Sequence, residues 1–155
     1  MSELGIVHSV NANSAGGVPK PPVGKALLLT GGVEGDKQRD LKYHGGPARA
    51  VCLFSLEKIA ALRAEGHPID VGTTGENLTI EGLDWDSLEG GQEYSIGDAV
   101  IELQKPAQPC NIIADSFCEG DSARIDEARH TGWSRWYASV SVEGEVEVGD
   151  AITRI

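Results

Sequence analysis

The residue with the most distinctive chemical setting in this chain is Cys110, a cysteine that directly follows a proline. Proline fixes its own backbone angle, and the residues after Cys110 have the pattern of a short helix, so the thiol falls at or just before a helix start. Unpaired amides there favour an anion, and a thiolate is a ligand for soft or borderline metals. Cys110 is therefore a candidate catalytic residue and metal ligand. The alternative is an inert cysteine, because cysteine is among the most frequently buried residue types.

A second candidate is the glycine-bracketed loop that runs from residue 35 to residue 49. It concentrates basic side chains in an otherwise acidic protein, and it contains a His-Gly-Gly sequence. Glycines let backbone and imidazole approach a ligand closely, and long loops in compact domains are often functional. The alternative is a solvated surface loop whose glycines serve only its turns. If the loop is functional, we expect it to hold an anionic ligand through its basic residues Lys37, Arg39, Lys42, His44 and Arg49, with Gly45 allowing close approach.

The third candidate is the sequence Gly75-Glu76-Asn77, which places two hydrogen-bonding side chains between a glycine turn and a strand. Glu76 can receive or release a proton, which makes it a second candidate catalytic residue. Asn77 can fix the edge of a ligand, because its amide both donates and accepts hydrogen bonds. The alternative is an Asx-type turn that only begins the next strand.

Composition narrows the class of protein. The 155 residues predict a single domain, and 24 acidic against 13 basic residues give a net charge of −11. Such a field repels nucleic acid and anionic membrane surfaces, so we expect neither as a partner. The three cysteines are widely spaced and include no Cys-x-x-Cys pair, which argues against a disulfide framework and a structural zinc site. With no secretory signal and no apolar run long enough to span a bilayer, we expect a cytoplasmic protein.

The hydrophobic pattern predicts a mainly β fold, an antiparallel β-barrel with a few short helices. An apolar run at residues 50–54 indicates a strand that is buried on both faces, and Ser55 is suited to cap a helix that ends before Gly66. The Gly-Asp pair at Gly97-Asp98 recurs at Gly149-Asp150, and this repetition suggests two similar corners of a barrel. We also expect a polar helix at residues 122–130 and a closing hairpin between residues 133–142 and 146–155.

Taken in order along the chain, these segments resemble the MOSC domain, a family named for the C-terminal region of molybdenum cofactor sulfurases. The likeness is closest to its small stand-alone bacterial members, and it runs from about Leu28 to the C-terminus. The matching pieces are Gly35-Asp36, His44-Gly45-Gly46 with Ala50-Val51, Gly75-Glu76-Asn77-Leu78, Gly97-Asp98, Pro109-Cys110, Gly132-Trp133, and Gly144 through Gly149-Asp150.

The resemblance implies a β-barrel that binds a molybdenum–pterin cofactor, with Cys110 at the position of the family's metal-binding or sulfur-carrying cysteine. Some relatives reduce N-hydroxylated compounds with electrons from a separate redox partner. On that pattern Lys42, His44 and Arg49 would neutralise the pterin and its phosphate, while Glu76 and Asn77 would hold the cofactor edge or manage a proton. The chain has no dinucleotide fingerprint and too few cysteines for a usual iron–sulfur cluster, so such electrons must come from outside.

Two positions depart from the family pattern and keep other functions open. Ala107 stands where the family commonly has an arginine before Pro-Cys, and Ser139 stands where it commonly has an arginine in the strand after the tryptophan. Lys105 and Arg135 are nearby basic residues that could compensate. The alternatives to an oxidoreductase are a non-catalytic carrier that delivers the cofactor or a sulfur atom to a partner protein, and a barrel that has lost the site.

Overall fold

The structure, a computed structural model, describes residues 3–37 and 47–155 of the chain. In these residues the β-strands are β1 (Glu3–Val10), β2 (Lys25–Leu29), β3 (Gly32–Val33), β4 (Val51–Ser55), β5 (Leu78–Glu81), β6 (Glu93–Ile96), β7 (Ala99–Ala107), β8 (Arg135–Val142), β9 (Gly144–Glu147) and β10 (Ala151–Arg154). The helices are α1 (Leu56–Ala64) and short 3-10 helices at Pro47–Arg49, Trp85–Ser87, Asn111–Ser116, Cys118–Gly120 and Ser122–Ile125.

Seven of these strands form a closed barrel in the order β1-β10-β6-β7-β8-β4-β5. Neighbouring strands are antiparallel except β4 and β5, which are parallel and are connected through α1. The remaining three strands form a small sheet in the order β3-β2-β9. The expected β-barrel with a few short helices is therefore confirmed, and each strand reaches its neighbours without a free edge in the barrel.

Alternation of apolar and polar residues explains why the barrel closes around one core. Strand β7 buries every second residue over most of its length, and strand β4 is buried along all five of its residues, as the apolar run predicted. The core is filled by large aliphatic and aromatic side chains that are almost fully buried, among them Phe54, Leu78, Ile80, Ile96, Ile101 and Ile152. Burial of such side chains from water is the main force that holds the barrel together.

Helix α1 begins and ends as its sequence predicts. The Ser55 hydroxyl accepts a hydrogen bond from the Lys58 amide at 3.1 Å, which caps the helix. The chain leaves the helix at Gly66, whose φ of 103° is open to glycine and strained for other residues. None of the helices in residues 3–37 and 47–155 is long and apolar enough to cross a membrane.

Two local expectations were wrong. The closing hairpin does not form, because β8 pairs with β7 and β4, while β9 leaves the barrel to pair with β2 and β10 returns between β1 and β6. Gly144 permits this exit, since a Cβ there would lie 2.4 Å from the backbone of Asp98. The expected polar helix at residues 122–130 is reduced to the 3-10 turn Ser122–Ile125, because turns centred on Asp126 follow it directly.

Candidate functional site

A cleft at one end of the barrel brings together most of the predicted site residues that the structure describes. Arg49, Gly75, Asn77 and Cys110 all line it, although they come from three separate parts of the chain. Lys42, His44 and Gly45 lie outside the described residues, so their predicted roles stay predictions. We call this space the cationic cleft, because its lining includes Lys20, Lys37, Arg49 and Arg135 and, within the described residues, no acidic side chain.

Cys110 lies at the rim of this cleft and is partly exposed. It is the residue before the 3-10 helix Asn111–Ser116, so the expectation of a helix start at this point is confirmed. Its side chain makes no capping hydrogen bond to that helix. The proline-containing stretch before it continues strand β7, which positions the thiol at the end of a rigid barrel strand.

A second depression lies on the other side of Cys110, and we call it the outer groove. Lys105, Gln108, Asp126 and Glu127 are among its lining residues, so it carries both signs of charge. Arg49, Cys110, Ile112 and Tyr137 line both spaces. Cys110 therefore lies on a ridge between a basic pocket and an open groove of mixed polarity. A ligand atom at that ridge can be reached from two directions.

Asn77 forms part of a buried polar floor under the cationic cleft. Its Oδ1 accepts a hydrogen bond from the Cys52 amide at 3.0 Å, and its Nδ2 donates to Asp36 at 2.8 Å. Asp36 also pairs with the ammonium group of Lys20 and accepts a hydrogen bond from the Asn13 amide at 2.9 Å. Because Lys20 and Asp36 are both buried, their pairing offsets the cost of removing each charge from water. The floor is thus fixed before any ligand arrives.

Glu76, by contrast, lies beneath the turn and does not reach the cleft. Its carboxylate is fully buried and accepts hydrogen bonds from the Gly72 amide at 3.0 Å and from the hydroxyls of Thr74 and Thr79 at 2.7 and 3.0 Å. Burial raises the pKa of Glu76, and these hydrogen bonds act against that shift. The arrangement holds the turn at residues 72–77 in place, and the side chain faces away from the described lining of the cleft.

Arg135, at the start of β8, contributes a buried guanidinium to the cleft. Its Nη1 donates to the Thr74 carbonyl at 2.8 Å and its Nη2 donates to the Gln108 carbonyl at 3.1 Å. Its Nε is buried and has no hydrogen-bond partner in the described residues. No carboxylate pairs with Arg135 within residues 3–37 and 47–155. The positive charge of Arg135 is therefore held in the wall of the cleft by neutral carbonyl acceptors.

Cys52 and Tyr137, two further titratable residues in the wall of the cleft, are protonated at neutral pH. Burial raises the pKa of the Cys52 thiol to about 11, against the opposing effect of the Arg135 charge. Burial also raises the pKa of the Tyr137 hydroxyl to about 12, and the guanidinium of Arg49 stands 5.6 Å from the centre of the Tyr137 ring. Neither group adds negative charge to the lining of the cleft at pH 7, and the lysine and arginine side chains there suit an anionic ligand.

Sequence reasoning missed Lys20 and Tyr137 as lining residues and left the direction of Arg135 open. Lys20 lies between two prolines in an irregular stretch, and nothing in such a pattern predicts a buried side chain. For Arg135, the signal is its position as the first residue of strand β8, where it pairs with Ala107 of β7. Cys52 lies in the apolar run at residues 50–54 and is buried as that run predicted, although it also lines the cleft.

Comparison with known proteins places this geometry in a family. The family model of the MOSC domain matches residues 40–153. This chain belongs to the MOSC domain family. The solved structure of YiiM from Geobacillus stearothermophilus superposes on it with a TM-score of 0.74 at 24% identity, covering 97% of this chain and 75% of YiiM. YiiM from Escherichia coli gives a TM-score of 0.72 at 25% identity, over 100% of this chain and 70% of that one.

Curated relatives of this MOSC domain are longer proteins. The uncharacterized protein YflK of Bacillus subtilis is 33% identical over 135 residues, which is 86% of this chain and 60% of YflK. YiiM of Escherichia coli is 32% identical over 127 residues, 79% of this chain and 56% of YiiM. A protein named Reductase from Gibberella moniliformis is 31% identical over 135 residues, 84% of this chain but only 24% of the relative. The chain thus spans 60% or less of each of these relatives.

Proposed function

We propose that this MOSC domain binds a molybdenum–pterin cofactor in the cationic cleft, with Cys110 as the protein ligand to the metal, and that it acts as an oxidoreductase component. The observation that carries the proposal is the position of the Cys110 thiol on the rim of a basic cleft whose floor is fixed by buried hydrogen bonds. A cofactor of this class carries an anionic phosphate, which the basic side chains of the cleft can bind. It also carries a metal with affinity for sulfur, which the Cys110 thiolate can ligate.

The residues present fit such a cofactor. Within the described residues no group of three His, Cys, Asp or Glu side chains could hold a metal ion, so a metal here would depend on Cys110 and on donors from its own organic ligand. Lys37, Arg49 and Arg135 supply positive charge where a phosphate and its ring system need neutralising. Asn77 presents its edge at the floor of the same space. When bound, the cofactor would supply a metal centre that can change its oxidation state.

The protein's own residues define what that centre would meet. The outer groove gives a substrate an open route to Cys110, and its mixed charges suit a polar, uncharged molecule. Reduction of an N-hydroxylated compound to the parent amine and water consumes two electrons and two protons. The chain contains no dinucleotide fingerprint and only three cysteines, so we propose that a separate redox protein supplies the electrons. The relative named Reductase is consistent with this class of reaction.

The test is metal content after expression in a molybdenum-replete host. We expect about one molybdenum per chain, and a loss of at least ten-fold in Cys110→Ser, because a hydroxyl is a far poorer ligand than a thiolate for this metal. Cys118→Ser is the matched control, since Cys118 is exposed and lines neither space. Molybdenum absent from the unmodified protein, or retained equally by Cys110→Ser, would contradict the proposal.

The catalytic half of the proposal needs a separate measurement. Molybdenum-loaded protein should reduce an N-hydroxylated base analogue when a reduced low-potential dye supplies electrons, and Cys110→Ser should not. A protein that binds molybdenum through Cys110 but reduces no such compound would instead be a carrier that passes its cofactor or a sulfur atom to a partner. The partly exposed position of Cys110 on the ridge is compatible with transfer to a second protein.

A further inference from the structure

We propose that Arg135 anchors the oxyanion of the ligand in the cationic cleft, a phosphate ester or pyrophosphate group. This deepens the function proposed above and rests on it. The starting observation is an imbalance: Arg135 is only 4% exposed, yet its described hydrogen bonds go to neutral carbonyls and its Nε has no partner among the described residues. A buried charge without a counter-ion is costly, so a site that keeps one is built for an anion that binds there.

The other buried cation of the cleft is in a different situation. The ammonium of Lys20 pairs directly with Asp36, so its charge is already compensated inside the protein. No such carboxylate accompanies Arg135 in residues 3–37 and 47–155. An incoming oxyanion therefore gains more from Arg135 than from Lys20, which would have to exchange an existing partner.

The contacts of Arg135 also place its charge between the two segments that carry the predicted site. Thr74 directly precedes Gly75-Glu76-Asn77, and Gln108 directly precedes Pro109-Cys110. One guanidinium thus holds both walls of the cleft, and its buried Nε has no hydrogen-bond partner among the described residues. Guanidinium groups are planar and present several donors in a fixed fork, which matches the geometry of phosphate oxygens better than an ammonium does. The same fork also fits a carboxylate, so the phosphate-type oxyanion is assigned because the proposed cofactor carries one.

The strand register supplies a sharp way to test the assignment. Arg135 and Ala107 are directly opposite each other in the antiparallel pair of β7 and β8. Side chains of such opposed residues project from the same face of a sheet and lie within contact distance. Ala107 is 1% exposed, so an arginine placed there, in a protein whose residue 135 has been reduced to alanine, would return a guanidinium to the same face.

The experiment uses inorganic pyrophosphate as the probe on metal-free protein and molybdenum content on protein from a molybdenum-replete host. In titration calorimetry we expect Arg135→Met to weaken pyrophosphate binding by about ten- to a hundred-fold, the loss of one or more charge-assisted hydrogen bonds. Arg135→Lys should fall between that variant and the unmodified protein, because it keeps the charge and loses the fork. The double variant Ala107→Arg/Arg135→Ala should recover most of the binding lost. Arg129→Met, which removes an exposed cation outside both spaces, is the matched control and should bind like the unmodified protein.

Several outcomes separate this inference from the function on which it rests. Pyrophosphate binding and molybdenum content that are both unchanged in Arg135→Met would overturn the anchor and leave the cofactor proposal standing. Arg135-dependent pyrophosphate binding in a protein that never acquires molybdenum would support the anchor and overturn the cofactor. Melting temperature and circular dichroism report whether Arg135→Met is folded. If it is not, Arg135→Lys and the double variant decide, and a double variant that is folded but binds no pyrophosphate counts against the anchor.

Discussion

The floor of the cationic cleft and the ridge above it are built in opposite ways. The floor consists of buried polar groups, Lys20, Cys52 and Asn77, which are fixed by hydrogen bonds or lie within a barrel strand. The ridge consists of Cys110 and Ile112, which are partly or largely exposed and lie outside the strands. Under the proposed function, ligand recognition is pre-arranged in the floor, where nothing has to move, while the Cys110 thiol stays accessible above.

The largest difference that follows from this contrast is in thiol reactivity. At pH 8 we expect iodoacetamide to modify Cys110 at least 100-fold faster than Cys52, because Cys52 is buried and its pKa of about 11 leaves roughly one thiol in a thousand ionised at that pH. Peptide mapping by mass spectrometry measures both rates in one sample, with the exposed Cys118 as an internal reference. Equal rates for Cys52 and Cys110 would mean that the floor opens to solvent.

The next largest effect is on stability and concerns the ion pair in the floor. Asp36→Ala leaves the Lys20 ammonium buried without its counter-ion and removes a partner of Asn77, so we expect the free energy of unfolding to fall by about 3–5 kcal/mol. Urea denaturation measures this change. On the ridge, Ile112→Ala should cost less than about 1 kcal/mol, because Ile112 is already 43% exposed.

A double variant tells whether the pair itself is responsible. Lys20→Met/Asp36→Ala removes both charges, and it should be less destabilised than the sum of its two single variants. Strict additivity would show that Lys20 and Asp36 act independently, and the floor would then not be held by their pairing.

The sequence allowed the barrel to be predicted better than the site. The alternating apolar residues of β7 and the continuous apolar run of β4 are local sequence signals. They predicted these strands correctly because burial in the core determines both the residue pattern and the strand that forms. The course of β9 was not predictable, since pairing partners depend on contacts far along the chain. Gly144 marks the exit from the barrel only once the nearby Asp98 backbone is known.

Within the site, the residue types indicated the possible chemistry, but they did not show which side chains point into the cleft. Ala107 marks the loss of an arginine from the family pattern, whereas the proposed compensation by Arg135 depends on the strand register that places it opposite Ala107, which no local pattern contains. Asn77 and Glu76 are neighbours in sequence and looked equally suited to hold a ligand. Successive residues point to opposite sides of an extended chain, so when Asn77 lines the cleft Glu76 is turned under it.

That inward position of Glu76 gives the smallest of the predicted effects and one that depends on pH. Because burial raises its pKa in the folded protein above the ordinary glutamate value of 4.5, the folded state holds this proton more tightly than the unfolded state does. The contribution of Glu76 to the free energy of unfolding is therefore largest at low pH and declines as the pH rises from about 4.5 through the folded pKa.

Glu76→Gln isolates this contribution, because glutamine can still accept from the Gly72 amide and can donate to the Thr74 hydroxyl. At pH 4 we expect it to cost less than about 1 kcal/mol, since neutral hydrogen bonds replace neutral ones. With rising pH the unmodified protein should lose stability relative to Glu76→Gln, and the difference should level off once the carboxyl has ionised. Urea denaturation of both proteins across the pH range measures it. A difference that is independent of pH would mean that Glu76 has the same pKa folded and unfolded, and its hydrogen bonds would then fully offset the effect of burial.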